Sequence, residues 1–167
     1  MASRLSIVRP PARASLARRL GARLAVARPA RWWSRVVHWR LDPVLLRLTG
    51  GRVSSTLWFR SAVLETTGAR SGLPRRHAVL YFHDGDDVVV IASHAGSPRH
   101  PAWFHNLRAN PEVVIGGEPR RAVVVEDERD AARLAELGDR VFPAYARYRS
   151  EAATAGRTIP VVRLTAR

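Results

Sequence analysis

The stretch RHAVLYFHDGDDVVVIAS, residues 76–93, decides the fold. Two runs rich in β-branched and aromatic residues, RHAVLYF and VVVIAS, flank the turn signal DGDD. An Asp-Gly pair between two such runs is typical of a tight β-hairpin, because glycine tolerates the positive φ that the turn requires. The stretch therefore predicts two antiparallel strands joined by a short turn.

Strand patterns on both sides of this hairpin extend the predicted sheet. TLWFRSAVLETT (residues 56–67) precedes it, and EVVIGGEPRRAVVVE (residues 112–126) follows as a second hairpin around Gly-Gly. TIPVVRLT (residues 158–165) supplies a last strand. Five or six short strands joined mostly by hairpins predict an antiparallel barrel, mainly β with helices (α+β). Alternating βαβ units are absent, which argues against a dinucleotide-binding Rossmann fold.

Two helical segments interrupt the strands. HPAWFHNLRAN (residues 100–110) carries Pro101 near its first turn, where proline suits a helix. A second helix is predicted over residues 128–148, with Asp127 as its N-cap and a break at Pro143.

The positive charge is concentrated at the N-terminus. Of the net charge of +14, residues 1–40 carry +10 and the remainder carries +4. Residues 1–50 are therefore interpreted as a basic, Arg/Ala-rich leader with short amphipathic helices, and residues 51–167 as the barrel domain. The leader is either a tail or a helix on a membrane surface. No apolar run reaches the ~20 residues of a membrane span, so we expect a cytoplasmic protein, with membrane association through the leader as the open alternative.

Several chemistries lack the residues that they require. The chain has no cysteine, which excludes disulfides and thiolate ligands. His94, His100 and His105 occur close together but without the spacing of a metal site, so we predict no metal. Neither a GxSxG elbow nor a pair of acids is placed for hydrolysis. Nucleic-acid binding is not expected, because the basic leader contains no recognised module.

The stretch TTGARSGLPRR, residues 66–76, is suited to an anion. Gly68 and Gly72 permit tight turns whose backbone N–H groups can face a ligand. Arg70, Arg75 and Arg76 add guanidinium groups that pair with phosphate or carboxylate. On these residues alone, an anion site and an exposed basic turn are equal alternatives.

Four motifs together resemble the deazaflavin-dependent nitroreductase family. They are TTGARSGLPR, the DG turn, ASHAG and HPAWFHNLRANP, which occur in the family's order within residues 57–162. Members of this family are split antiparallel β-barrels of the FMN-binding-like type that use coenzyme F420, an 8-hydroxy-5-deazaflavin. This chain departs from the family pattern at Ala69, His94, Ala95 and Phe142, where the family frequently has a basic residue, Lys, Gly and Tyr.

The resemblance implies an oxidoreductase. Reduced coenzyme F420 would transfer a hydride to a flat, electron-poor acceptor such as a quinone or a nitroaromatic. Two alternatives keep the barrel: a deazaflavin carrier or sequestering protein without turnover, and an FMN-dependent oxidoreductase. A homodimer is kept as a further expectation, separate from the resemblance.

The resemblance further implies roles for individual residues. We expect Tyr145, Ser93 or water to donate the proton that completes the reduction, and Phe142, Tyr145 and Tyr148 to face the substrate. The cofactor would be bound by Ala69, Arg70, Ser71, Arg75, Arg76, His77, Ala78, Val79, Leu80, Ile91, Ala92, Ser93, His94, Ala102, Trp103 and Asn106.

Overall fold

The described residues fold into a closed six-stranded antiparallel barrel with three α-helices, which confirms the predicted fold class. The structure is a computed structural model, and it describes residues 5–12, 20 and 59–166. The strands are β1 Ser61–Thr67, β2 Pro74–Asp84, β3 Asp87–Ile91, β4 Glu112–Ile115, β5 Glu118–Val124 and β6 Val161–Thr165. The helices are α1 Ala102–Ala109, α2 Glu128–Val141 and α3 Ala144–Thr154, and a single 3-10 turn spans His94–Gly96. Around the barrel the strand order is β1-β2-β3-β6-β5-β4.

The barrel interior is filled by alternate residues of the strands. In β1, SAVLETT, every second residue is buried, as expected for a strand with one face toward a core. Helix α1 contributes Trp103, Phe104 and Leu107 to the same interior. The side chains that share this core include Leu64, Tyr81, Val88, Val90, Ile115, Val162 and Leu164.

A second core lies outside the barrel wall, beneath α2 and α3. The register pairs Tyr81 with Val90 and Phe82 with Val89, so the side chains of Phe82 and Val89 leave the interior on the opposite face. These two residues pack with Leu134 of α2. The same core holds Phe59, Ile91, Val141, Phe142, Ala144, Tyr145, Tyr148, Ala152, Ile159 and Val161.

Both local signals that were predicted for this helical pair are confirmed. The Asp127 carboxylate accepts a hydrogen bond of 2.7 Å from the Asp130 N–H, and so caps α2. Pro143 separates α2 from α3, because it has no N–H to continue the first helix.

Strand β2 is longer than its partner β3, and this difference splits the barrel. Residues 81–84 of β2 pair with β3, whereas residues 74–80 pair only with β1. Beyond Ile91 the Ala92 N–H donates to the Pro160 carbonyl at 3.0 Å, so the chain follows β6 and leaves β2. The edge of β2 over residues 74–80, called the open edge below, faces no paired strand in the described part of the chain.

The first described segment of the leader lies against the barrel. The Val8 carbonyl accepts from the His83 N–H at 2.7 Å, and the Val8 N–H donates to His83 Nδ1 at 3.1 Å. The Tyr81 hydroxyl donates to the Ser6 carbonyl at 2.9 Å. The leader helices and the boundary near residue 50 lie outside the described residues. Within those residues no helix is long and apolar enough to cross a membrane.

Candidate active site

The basic glycine motif forms a closed turn at the start of β2. The Gly68 N–H donates to the Leu73 carbonyl at 2.9 Å, and the Gly72 N–H donates to the Gly68 carbonyl at 2.8 Å. A Cβ atom at Gly68 would lie 2.6 Å from Ser71 Oγ, and Gly72 adopts a φ of +65°. Both glycines are therefore required by the geometry of the turn.

Asn106 of α1 holds this glycine turn in place. Its side-chain carbonyl accepts from the Ala69 N–H at 3.0 Å, and its amide donates to Thr66 Oγ1 at 3.0 Å. Asn106 is buried, and Asn110 adds a longer bond of 3.5 Å to the Thr67 carbonyl. The predicted contact of Asn106 with the cofactor stays a prediction, while its observed partners make it the residue that orders the turn.

The three arginines of the motif differ in how far their charges are neutralised. Arg76 forms an ion pair of 3.3 Å with Glu65. Arg75 reaches Ser71 Oγ at 3.5 Å. Among the described residues neither Arg70 nor Arg75 forms an ion pair, and both are exposed, so their charges are available to an anionic ligand.

The loop after β3 contains a backbone conformation that binds anions elsewhere in proteins. Ser93 is right-handed, with φ −67° and ψ −39°, and is followed by His94 at φ 49° and Ala95 at φ 51°. A right-handed residue followed by a left-handed one turns successive N–H groups toward the same side, which forms a small concave anion site. The Ser93 side chain makes no capping hydrogen bond in this turn.

Arg157 binds the backbone of this loop through its guanidinium group. It is not among the site residues that the sequence predicted. Its Nη2 donates to the Ser93 carbonyl at 2.5 Å, and its Nη1 donates to the carbonyls of Arg99 at 3.1 Å and Ala92 at 3.4 Å. The Arg99 carbonyl also contacts His94 Nδ1 at 2.9 Å. Nothing in the local sequence distinguishes Arg157 from the other arginines of a chain that contains no lysine.

Burial changes the titration of the groups around Arg157. Desolvation lowers the pKa of the Arg157 guanidinium. Desolvation also lowers the pKa of His100, whose Nδ1 lies 3.3 Å from Arg157 Nη1, and the positive charge of Arg157 lowers it further. His100 is therefore a neutral acceptor for the guanidinium at neutral pH.

Helix α3 closes the other side of the loop. A Cβ atom at Gly96 would lie 3.3 Å from the Tyr148 carbonyl, which shows how closely the helix approaches. Tyr145 and Ile91 meet over Gly138, where a Cβ atom would lie 3.4 Å and 2.4 Å from their side chains. Burial raises the pKa of Tyr145, which keeps its phenol protonated.

Most of the predicted residues fall into two groups in the structure, whereas Ile91 and Ala92 are buried in the outer and the barrel core and Ala102 is exposed at the start of α1. One group surrounds the open edge and its two turns and consists of Ala69, Arg70, Ser71, Arg75, Arg76, His77, Ala78, Leu80, Ser93 and His94. Trp103 and Val79 point into the barrel core, and Phe142, Tyr145 and Tyr148 belong to the core beneath α2 and α3. These last five side chains are buried, so packing is the role that their positions show.

Two hollows on the described surface do not involve the predicted residues. One, of about 480 Å³, is lined by residues of α1 and β5, and the other, of about 270 Å³, by residues of β1, β4 and β5 with Pro74 of β2. None of the predicted site residues lines either hollow. The candidate site is thus the open edge of β2 with the turns beside it.

The fold is a split antiparallel barrel, with a basic glycine turn and a left-handed turn near the open edge of one strand. Residues 33–166 match the F420H(2)-dependent quinone reductase family. An F420H(2)-dependent quinone reductase of Mycobacterium tuberculosis is 37% identical over 149 residues, which cover 83% of this chain and 98% of the relative. The chain belongs to the F420H(2)-dependent quinone reductase family.

Solved structures agree with this assignment. A structure described as an F420-H2 dependent reductase is 30% identical, with a TM-score of 0.54, over 62% of this chain and 92% of its own. A second, described as a domain-swapped dimer, is 26% identical with a TM-score of 0.56, over 81% and 98%. The predicted enzyme class and cofactor are confirmed: the protein is an oxidoreductase that uses reduced coenzyme F420, and quinones are its acceptor class.

Proposed function

We propose that coenzyme F420 binds along the open edge of β2. The glycine turn and Arg70 and Arg75 take the acidic tail, and the loop from Ile91 to His94 lies beside the phosphate and the ring. One observation carries this proposal: the only stretch of β2 without a second strand partner in the described residues runs between the glycine turn, which carries the exposed Arg70 and Arg75, and a turn whose backbone geometry suits anions. The donor set fits the group, because two exposed guanidiniums and the backbone N–H groups of the turn at residues 93–95 match a phosphate with carboxylates.

The residues of this chain bind, orient and shield the reactants. When bound, reduced coenzyme F420 supplies the hydride. Asn106 fixes the glycine turn, and so fixes the position of the acidic tail relative to the open edge. The apolar residues Ala78 and Leu80, half-buried on the outer face of β2, offer a dry surface for a flat ring. The acceptor lies between this surface and α3.

The reduction of a quinone also consumes a proton, for which Tyr145 and Ser93 are the proposed sources. The raised pKa of Tyr145 leaves a proton on its phenol oxygen throughout the working pH range. The Ser93 hydroxyl adjoins the proposed phosphate and ring position. We expect Tyr145→Phe or Ser93→Ala to lower kcat with menadione as acceptor by about 10²-fold for the residue that donates. Unchanged turnover in both variants would exclude both side chains.

The binding experiment follows the fluorescence of oxidised coenzyme F420 during titration with the protein, with FMN in parallel. Saturable binding of the deazaflavin and not of FMN is the expected result. Arg70→Met and Arg75→Met should each weaken binding by about tenfold, whereas Arg121→Met, which removes an equal charge from an exposed pair with Glu112, should not. Equal effects of all three variants would contradict the proposed site.

The turnover experiment adds a quinone or a nitroaromatic to the reduced complex. We expect the bound cofactor to be oxidised when the acceptor is added, as turnover by an enzyme requires. Binding without oxidation by either acceptor would instead support the carrier without turnover. The comparison of the two acceptors also measures which class the site prefers.

Two further proposals concern dimerisation and contact with a membrane surface. A homodimer is supported by the neighbour described as a domain-swapped dimer, and light scattering at several concentrations measures its mass.

Contact with a membrane surface is supported by the +10 charge of residues 1–40. Cosedimentation with anionic vesicles should be lost on deletion of residues 1–40, and retained binding by the deleted chain would contradict this second proposal.

A further inference from the structure

Arg157 is a buried cation whose hydrogen-bond partners are all neutral. It is 7% exposed, and it bonds to three backbone carbonyls and the neutral ring of His100. Its Nε has no hydrogen-bond partner among the described residues, and none of their carboxylates lies within ion-pair distance of it. Arg149, by contrast, is paired with Asp139. A buried charge is costly unless it is compensated, so an anionic ligand beside Arg157 would be favoured.

The shortest of these bonds connects Arg157 to the proposed anion site through one peptide group. The Ser93 carbonyl, which accepts from Arg157 Nη2 at 2.5 Å, belongs to the same peptide as the His94 N–H. A charged donor on the carbonyl polarises the peptide and makes its N–H a stronger donor. The positive charge of Arg157 therefore strengthens the N–H donor that faces the concave side of the turn.

The same bonds hold a conformation that the sequence alone disfavours. His94 and Ala95 both have positive φ, which costs about 1–2 kcal/mol for each residue other than glycine. Arg157 ties together the carbonyls of Ala92 and Ser93 before the turn and of Arg99 after it. Without these bonds the loop would relax, and its N–H groups would no longer converge.

We propose that Arg157 is a positioning residue for the phosphate of the bound deazaflavin: it fixes the turn at residues 93–95 and supplies that site with a positive charge that no carboxylate of the described residues pairs with. The inference rests on the proposed function. It adds a residue that lies 64 positions from Ser93 in sequence and does not itself line the open edge. Arg157 acts on the site of one anionic group, the phosphate. We therefore expect its replacement to weaken binding of the phosphorylated cofactor and not of a ligand without phosphate.

The experiment compares two ligands, coenzyme F420 and the same 8-hydroxy-5-deazaflavin without its phosphate and tail. Fluorescence titrations are run on the full chain and on Arg157→Met and Arg157→Lys, with Arg163→Met as the control. Arg163 is a half-buried arginine that, unlike Arg157, pairs with carboxylates, namely Asp84, Asp87 and Asp130 near the β2–β3 turn. We expect Arg157→Met to weaken coenzyme F420 binding about ten- to hundredfold and to leave the phosphate-free ligand within about twofold of the unaltered chain. Arg157→Lys should be intermediate, and Arg163→Met should alter neither ligand.

The outcomes separate the inference from the proposed function. If the unaltered chain binds neither ligand, the proposed function fails. If it binds both and the Arg157 variants bind coenzyme F420 unchanged, or lose both ligands equally, the inference fails and the proposed function stands. Should both variants unfold, amide spectra of the unaltered chain decide: saturation with coenzyme F420 must shift the His94 and Ala95 N–H resonances, and unshifted resonances would overturn the inference.

Discussion

Ala95 places a methyl group where the backbone favours glycine. Its φ of 51° and ψ of 38° lie in the left-handed region, directly after His94 at φ 49°. The family to which the chain is similar in its ASHAG motif frequently has glycine here. The fold tolerates alanine because Arg157 and the approach of α3 hold the loop from two sides.

Replacing Ala95 with glycine should raise the free energy of unfolding by about 0.5–1 kcal/mol, because the relief of left-handed strain exceeds the loss of one partly buried methyl group. Urea unfolding measures the change. Ala146→Gly, at an exposed position in α3, is the matched control and should lower stability by about 0.5–1 kcal/mol. A loss of stability in both variants would show that packing outweighs strain at Ala95.

Asn106 offers a second test at the level of one side chain. Asn106→Ala removes its bonds to Ala69 and Thr66, and should lower the free energy of unfolding by about 1–3 kcal/mol. It should also weaken coenzyme F420 binding, because the glycine turn loses its support. Asn110→Ala loses only the 3.5 Å contact with Thr67, so a smaller effect on both quantities is expected. Equal effects of the two substitutions would refute the assignment.

Among the elements, the hairpin β2–β3 and the pair α2–α3 were predictable because their signals are local. The DGDD turn, the Asp127 cap and Pro143 each act within four residues of their own position. The hydrogen bond from Arg157 to the Ser93 carbonyl and the contact of Val8 with His83 were not predictable, since each joins residues more than sixty positions apart. No periodic pattern reports such contacts, and arginine is too frequent in this chain to mark a special position.

The cap of α2 gives an element-scale prediction. Asp127→Ala leaves the Asp130 N–H without its acceptor and should cost about 1 kcal/mol of unfolding free energy. Asp127→Asn keeps an acceptor oxygen and should retain most of that stability. Thermal and urea unfolding of the two variants provide the measurement, and equal losses would mean that charge rather than capping is responsible.

At the scale of the whole molecule, stability depends on pH through three histidines. Burial is the largest cause that lowers the pKa of His77, His83 and His100. Between the lowered pKa and the unfolded value of ~6.5 the unfolded chain binds more protons than the folded one, so stability rises with pH in that window. We therefore expect the free energy of unfolding to fall as the solution is acidified below about pH 6.5. His100→Gln should reduce the slope, and an unchanged slope would exclude His100 as a contributor.

A second acid transition is expected at much lower pH. Hydrogen bonds from Arg133, then from Arg163, lower the pKa of Asp84 to about 2, against the opposing effect of burial. Its contribution is present above the unfolded value near 3.9 and is lost as pH falls through the folded value. Because the bonds from Arg133 join the end of β2 to α2, their loss should loosen the outer helices before the barrel.

The open edge of β2 has one more consequence, for colloidal behaviour. A strand edge without a partner is a template on which another chain can add a strand, and proteins guard such edges with proline and charge. Here Pro74, Arg75 and Arg76 guard the first part of the edge, while the stretch from His77 to Leu80 has no such guard. If the deazaflavin covers that stretch, the cofactor acts as a protective cap against self-association. Concentrated apoprotein should then scatter more light than the holoprotein, so that cofactor supply would govern how long the protein remains in solution as well as whether it is active.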